Sequence, residues 1–304
     1  MFARLIISAL ALLVGSATAT AQSNVQQAHS LMITAIHNKD SDEIRKLARS
    51  PWVIMNEVDM SPFYIQAAVG TGDISTIKTI FEVGGRILQS GQWPQGKGTN
   101  NVYLQATSAN RIDVLKLLID EFKKEKSSPK PNDNPYTLPQ LFAAQNNGQD
   151  ALMTAYFAGR ADVGLVLLEN GADPNTKGFY GVSAIWFAVR STPICEKCFT
   201  DALTYHADPN LLDPSGKTRL FKWTEYGIAT DASVVQFLVD HGLNVNIKDV
   251  DGLTAHDWTH IQGLGNGNCR QVGPQHPDIQ AILVKAGAQP RNLPGDFRCR
   301  WGTT

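Results

Sequence analysis

Four times in its second half the chain ends an apolar stretch on a similar short phrase: NGADPN around Gly171, HADPN at His206, HGLNVN around Gly242 and AGAQPR around Gly287. These anchors stand 35, 36 and 45 residues apart. Upstream lie sets with helical spacing: Val163, Val166, Leu167 and Leu168; Val234, Val235, Phe237, Leu238 and Val239; Ile279, Ile282, Leu283 and Val284. A fixed period in the range of about 20 to 50 residues marks a stack of similar units. The stack has a physical cause: the apolar stripe of such a helix has no partner inside its own unit, so only the next copy buries it. Gly171, Gly242 and Gly287 suit the left-handed residue that ends a helix. Asp213-Pro214-Ser215-Gly216 and Asp249-Val250-Asp251-Gly252 are turn sequences.

Weaker copies of a preceding helix run along the chain: SLMITAIHNKD from Ser30, FYIQAAVGTGD from Phe63, NVYLQATSANR from Asn101, DALMTAYFAGR from Asp150, then SAIWFAVRS, TRLFKWTEYG and LTAHDWTHIQ from Ser183, Thr218 and Leu253. Ala68, Ala106, Ala155 and Ala188 are small enough to let neighbouring helix pairs approach closely. These residues, and a spacing near the roughly 33 of that family, resemble the ankyrin repeat. The resemblance implies an all-α ankyrin-repeat solenoid of about six to seven helix-turn-helix units with short hairpin loops. No unit keeps the family's full Thr-Pro-Leu-His, which leaves the turn hydrogen bonds of that motif without their usual residues. A generic helical repeat with two helices per unit fits the recurrent Ala-Asp-Pro-Asn endings less well.

The expected organisation is a signal peptide over 1–21, ankyrin-like repeats over 22–122, a polar Pro-rich insertion over 123–147, further repeats over 148–290 and a tail over 291–304. The leader MFARLIISALALLVGSATATAQS has Arg4, an apolar run from Leu5 to Val14, and Ala19-Thr20-Ala21 as a cleavage signature ahead of Gln22. That run is shorter than the about 20 residues a membrane span needs. The expected location is therefore the periplasm or the exterior. Lys123 to Gln140 is expected to loop out, and Gly263 to Gln275 interrupts the last unit.

In an exported chain Cys195, Cys198, Cys269 and Cys299 are an even set where disulfides persist. Three pairings are open; the simplest joins Cys195 to Cys198 and Cys269 to Cys299. Cys195-Glu196-Lys197-Cys198 also has the spacing of redox and metal sites. Redox work calls for an activated thiolate, typically at a helix N-terminus, whereas this motif lies inside a repeat unit, so it reads as a structural disulfide. Zinc lacks a second such pair. His256 and His260, four apart, match a metal-gripping spacing, but Asp257 stands where the metalloprotease motif has Glu. His256 falls in a normally buried register position, and no metal or cofactor is expected.

No phosphate-cradling glycine loop, nucleophile elbow or carboxylate pair stands out, so a non-enzymatic reading is preferred. A formal charge of −1 leaves no electrostatic footprint for nucleic acid. The resemblance implies protein binding at hairpin tips and along the exposed side of the first helices. By register that surface comprises Phe157, Phe179, Tyr180, Arg190, Glu225, Tyr226, Val250 and Asp251. Phe179 and Tyr180 either anchor a partner or fold back onto the next unit. Trp186, Phe221 and Trp223 fall nearer inward positions. Exported bacterial ankyrin proteins that the chain resembles fall into two groups: immunity proteins that neutralise toxins or effectors, and accessory partners of periplasmic enzymes or of oxidative-stress defence. Both stay open, with immunity preferred, and so does a redox or metal role for the cysteine pair.

Overall fold

A computed structural model describes residues 23–53, 61–87, 101–127, 136–178, 181–190, 193–213, 216, 218, 232–265, 268–271 and 276–291. The leader, Phe179, Tyr180, Phe221, Trp223, Glu225, Tyr226 and Cys299 lie outside the described residues, as do the side chains of 262–271, Cys269 included. The chain divides into two compact units, Met1–Asn146 and Asn147–Thr304.

In the first unit helices come in pairs: α1 (23–37) with α2 (Ser41–Leu47), α3 (Ser61–Thr71) with α4 (Ile74–Glu82), and α5 (Val102–Ser108) with α6 (Ile112–Ser127). A short α7 (Leu138–Phe142) packs on α5. The second unit holds α8 (Ala151–Phe157) with α9 (Ala161–Glu169) and α10 (Ala184–Ala188) with α11 (Glu196–Thr204). It continues through α12 (Ala232–Asp240) to α13 (Ala255–Trp258) and α14 (Pro277–Lys285). Like helices stack on like: α3 on α5, α2 on α4, α4 on α6, α8 on α10, α9 on α11 and α12 on α14. This is the repeated helix-turn-helix architecture that the spacing of the anchors predicts.

Side-chain caps mark where several of the helices start. Asp73 accepts the Thr76 amide and hydroxyl, each at 2.7 Å. Asp150 accepts the Met153 amide at 2.8 Å, and Asn101 accepts those of Tyr103 and Leu104. In α13, Thr254 and Asp257 form a reciprocal capping box, so the bond the missing Thr-Pro-Leu-His would make is replaced by another pair. Asp257, fully buried, is closed from the other side by Arg291 at 2.6 Å. These helices thus solve the same capping problem with different residues.

Helix ends are equally systematic. Lys39, Gly72, Asn110 and Gly159 close first helices with positive φ, and Gly171, His206, Gly242 and Gly287 close second helices. His206, at φ 65°, holds this conformation without glycine's freedom. Ala68, Ala106, Ala155 and Ala188 are at most 1 % exposed, as the close helix approach requires. Tyr156 lies flat against Gly164 of α9, where an added Cβ would collide with its ring.

The Asp-x-Asn phrase does more than stop a helix. Asp173 accepts the Asn175 amide at 2.8 Å, shaping the turn. The Asn175 side chain then donates to the carbonyl of His206 at 2.9 Å and accepts from the Asp208 amide at 2.7 Å. Asn210 repeats both bonds one unit later, with the Gly242 carbonyl and the Asn244 amide. Asn246 donates to the Gly287 carbonyl at 3.0 Å. Each asparagine ties its unit to the helix end of the next, satisfying carbonyls that a helix terminus leaves open.

Two expected interruptions are more ordered than anticipated. The 123–147 segment does not loop out as a whole. α6 runs to Ser127, and α7 opens on a Thr137–Gln140 capping box and buries Leu138, Leu141 and Phe142. Phe142 meets Tyr103 edge-on, and Asn101 donates to the Leu141 carbonyl at 2.7 Å. Overlapping Gly263 to Gln275 is a two-stranded antiparallel hairpin, β1 (Ile261–Gly265) and β2 (Asn268–Gln271), with an irregularity between Gly263 and Gly265. It is an addition to the helices of the described residues. No helix among the described residues is long and apolar enough to cross a membrane.

Candidate functional site

Two residues before the left-handed end of these first helices stands one equivalent position, occupied by His37, Gly70, Ser108 and Phe157. Arg190 follows in the same register, two residues after Ala188 as Phe157 is two after Ala155. Phe157 is 51 % exposed. The Arg190 guanidinium lies 5.6 Å from its ring centre and 5.9 Å from that of Trp186. Buried Phe187 supports both rings, edge-on to Phe157 at 5.9 Å and to Trp186 at 5.5 Å. The stack contributes about 0.5–1 kcal/mol per cation–π contact at an exposed site. More to the point, it fixes two large side chains that would otherwise lose rotamer freedom on binding. Phe157 and Arg190 are thus brought together as the register predicts. Trp186, expected in the core, is half-buried beneath Arg190. The cause is the shortness of α10: it has only five residues, and Phe187 already fills its buried face.

Val250 and Asp251 sit on the row of hairpin tips instead. Asp249 shapes that tip, accepting the amides of Asp251 and Leu253 at 2.9 Å each and the Trp258 indole at 2.9 Å. Val250, 69 % exposed, is carried on the rigid turn beside Gly216 of the preceding tip.

The first unit holds a feature the sequence reading missed, an open groove of about 610 Å³ lined by His29, His37, Lys39, Gln66, Gly70 and Gln105 among others. His29 meets the Tyr64 hydroxyl at 3.0 Å. Burial lowers the His29 pKa and pushes Tyr64 up to about 12. The signal was present as the spacing of His29, Ile33 and His37 on one helical face, and as Gly70 and Ser108 in the slot that Phe157 fills later.

Cys195 and Cys198 form a disulfide, as expected. The motif lies inside a unit, between α10 and α11, and Cys195 is the N-cap of α11, with its sulfur accepting the Cys198 amide at 3.3 Å. His256 is buried at 5 % exposure beside His260, its Nδ1 without a hydrogen-bond partner. His260 faces Thr259 and Gln280, and among the described residues no group of three His, Cys, Asp or Glu is placed to hold a metal.

No family model matches the chain, and no curated protein matches it by sequence. Among solved structures it is similar to the ankyrin repeat domain of Bcl-3, a member of the IkappaB protein family, with a TM-score of 0.58 at 17 % identity over 84 % of this chain and 97 % of that one. Stacked helix pairs, left-handed helix ends, asparagine rungs and this likeness agree: the chain has the ankyrin-repeat fold.

Proposed function

We propose that the chain is a non-enzymatic protein-binding scaffold, exported to the periplasm, and that its partner lands on the Phe157, Trp186 and Arg190 stack. The observation that carries this reading is an exposed phenylalanine and a half-buried tryptophan held rigid by one arginine. Tryptophan and arginine are the side chains most enriched among the few that dominate binding energy. Val250 on its pinned turn extends the surface to the hairpin row, and Phe179, Tyr180, Glu225, Tyr226 and Asp251 belong to the same proposed strip. Within this reading the preferred role is an immunity protein that blocks a toxin or effector, since blocking needs only shape and a few anchors. Service to a periplasmic enzyme is the alternative.

The test is capture from periplasmic extract with the mature chain, the Phe157→Ala/Arg190→Ala variant and a Val284→Ser control on α14. A partner retained by wild type and control but lost from the double variant supports the surface. Equal recovery on all three baits, with folding unchanged by circular dichroism, places the partner elsewhere. A captured secreted toxin favours immunity, and a resident enzyme favours the accessory role.

A further inference from the structure

The Cys195–Cys198 disulfide is poorly suited to bracing. It closes a ring over a sequence separation of 3, and the entropy a crosslink removes from the unfolded chain grows with loop length. The ends of this ring are already fixed by α11 and by the Cys195 amide bonded to the Ala188 carbonyl at 2.8 Å. Its surroundings are those of an exchanging pair. Cys198 is fully buried, whereas Cys195 is half-buried at the start of the nine-residue α11, flanked by exposed Pro193, Glu196 and Lys197. Lys197 is engaged by Asp201 at 2.8 Å. The Cys198 amide points at the Cys195 sulfur, and in the reduced pair that amide and the helix N-terminus favour a thiolate there.

We propose that Cys195 and Cys198 form a stoichiometric, non-catalytic thiol–disulfide exchange site whose substrate class is a cysteine pair of a protein or peptide. The substrate thiolate attacks Sγ of Cys195. A new S–S bond forms as the Cys195–Cys198 bond breaks, and the electron pair leaves on Sγ of Cys198, which takes up a proton. The substrate's second thiolate then attacks its own sulfur in the mixed disulfide and releases Cys195. The dithiol is oxidised by two electrons to a disulfide, and the chain's cystine is reduced to two thiols. Burial of Cys198 directs the attack to Cys195.

The experiment incubates the oxidised, folded mature chain with reduced glutathione, quenches by alkylation and maps each cysteine by mass spectrometry, which separates this pair from Cys269 and Cys299. The expected result is native-state reduction of the pair by reduced glutathione; in the Cys198→Ser variant, given oxidised glutathione instead, the Cys195 thiolate attacks it, forming a glutathione mixed disulfide on Cys195 and releasing one reduced glutathione. A reduced dithiol model peptide is oxidised by wild type at least about tenfold faster than by Cys195→Ser, the gap expected when the accessible sulfur of the reacting disulfide is gone. Circular dichroism confirms that both variants fold; if Cys195→Ser does not, trapping in Cys198→Ser decides alone. A pair that is reduced only after unfolding, or glutathione that never appears on Cys195, overturns the proposal.

Discussion

Replacing Asn175 with alanine removes one rung between successive repeat units and leaves every apolar contact in place. The side chain makes two bonds to the next unit, 2.9 Å to the His206 carbonyl and 2.7 Å from the Asp208 amide. At a net of about 0.5–1.5 kcal/mol each, the pair contributes about 1–3 kcal/mol, and water can take over part of this because the site is exposed. The expected loss is about 1–2 kcal/mol, a midpoint shift of about 0.5–1 M in urea at a slope of about 2 kcal/mol/M. Asn175→Asp keeps the acceptor for Asp208 and loses the donor, so it falls between. Because a solenoid's stability is a sum of unit and neighbour terms, loss of a rung also broadens the transition as units uncouple. Urea melts of the mature chain followed by far-ultraviolet circular dichroism read both effects. An unfolding free energy for Asn175→Ala within about 0.3 kcal/mol of wild type, well below a typical net hydrogen bond, would refute the rung.

Three further substitutions probe separate parts of the fold. Gly164→Ala improves helix propensity by about 1 kcal/mol, yet the added carbon meets the Tyr156 ring; overpacking of about 1–3 kcal/mol makes the variant less stable, and a higher melting temperature would contradict that contact. His256→Leu removes the unpartnered Nδ1 and gains about 1–2 kcal/mol. Burial, with His260 second, lowers the His256 pKa, so the unfolded chain takes up a proton that the folded one resists, and wild type loses stability as pH falls through about 6.5; the variant's advantage should widen from pH 8 to pH 5. Asp150, pushed up to about 7 chiefly by burial, contributes stability that is present below about pH 4 and lost as pH rises through about 7. Asp150→Asn keeps an effective cap and gains on wild type across that window; parallel urea midpoints at pH 4, 6 and 8 would count against the buried carboxylate.

The repeat architecture was legible because it rests on local signals: glycines at helix ends, alanines between helices and apolar stripes at helical spacing. The pairing of Phe157 with Arg190 was legible for the same reason, since equal register in adjacent units puts two residues side by side. What stayed hidden depends on distant partners. Nothing local shows that Asn175 reaches the next unit's helix end. α7 was obscured by the polar, Pro-rich text around it, although Thr137, Leu138, Leu141 and Phe142 carry a cap and a buried face. Trp186 was assigned inward by register, but α10 is one short helix whose buried face Phe187 occupies. Cys195 was read without its helix because the boundary of α11 falls on the cysteine itself.

The central claim is that binding energy concentrates where Phe157, Trp186 and Arg190 stack. The most direct measurement is the dissociation constant of the captured and purified partner for wild type and for Phe157→Ala/Arg190→Ala, by isothermal titration. The account predicts a loss of at least about 2 kcal/mol, roughly 30-fold, as for anchor residues at an interface. An unchanged constant with an intact fold would contradict it.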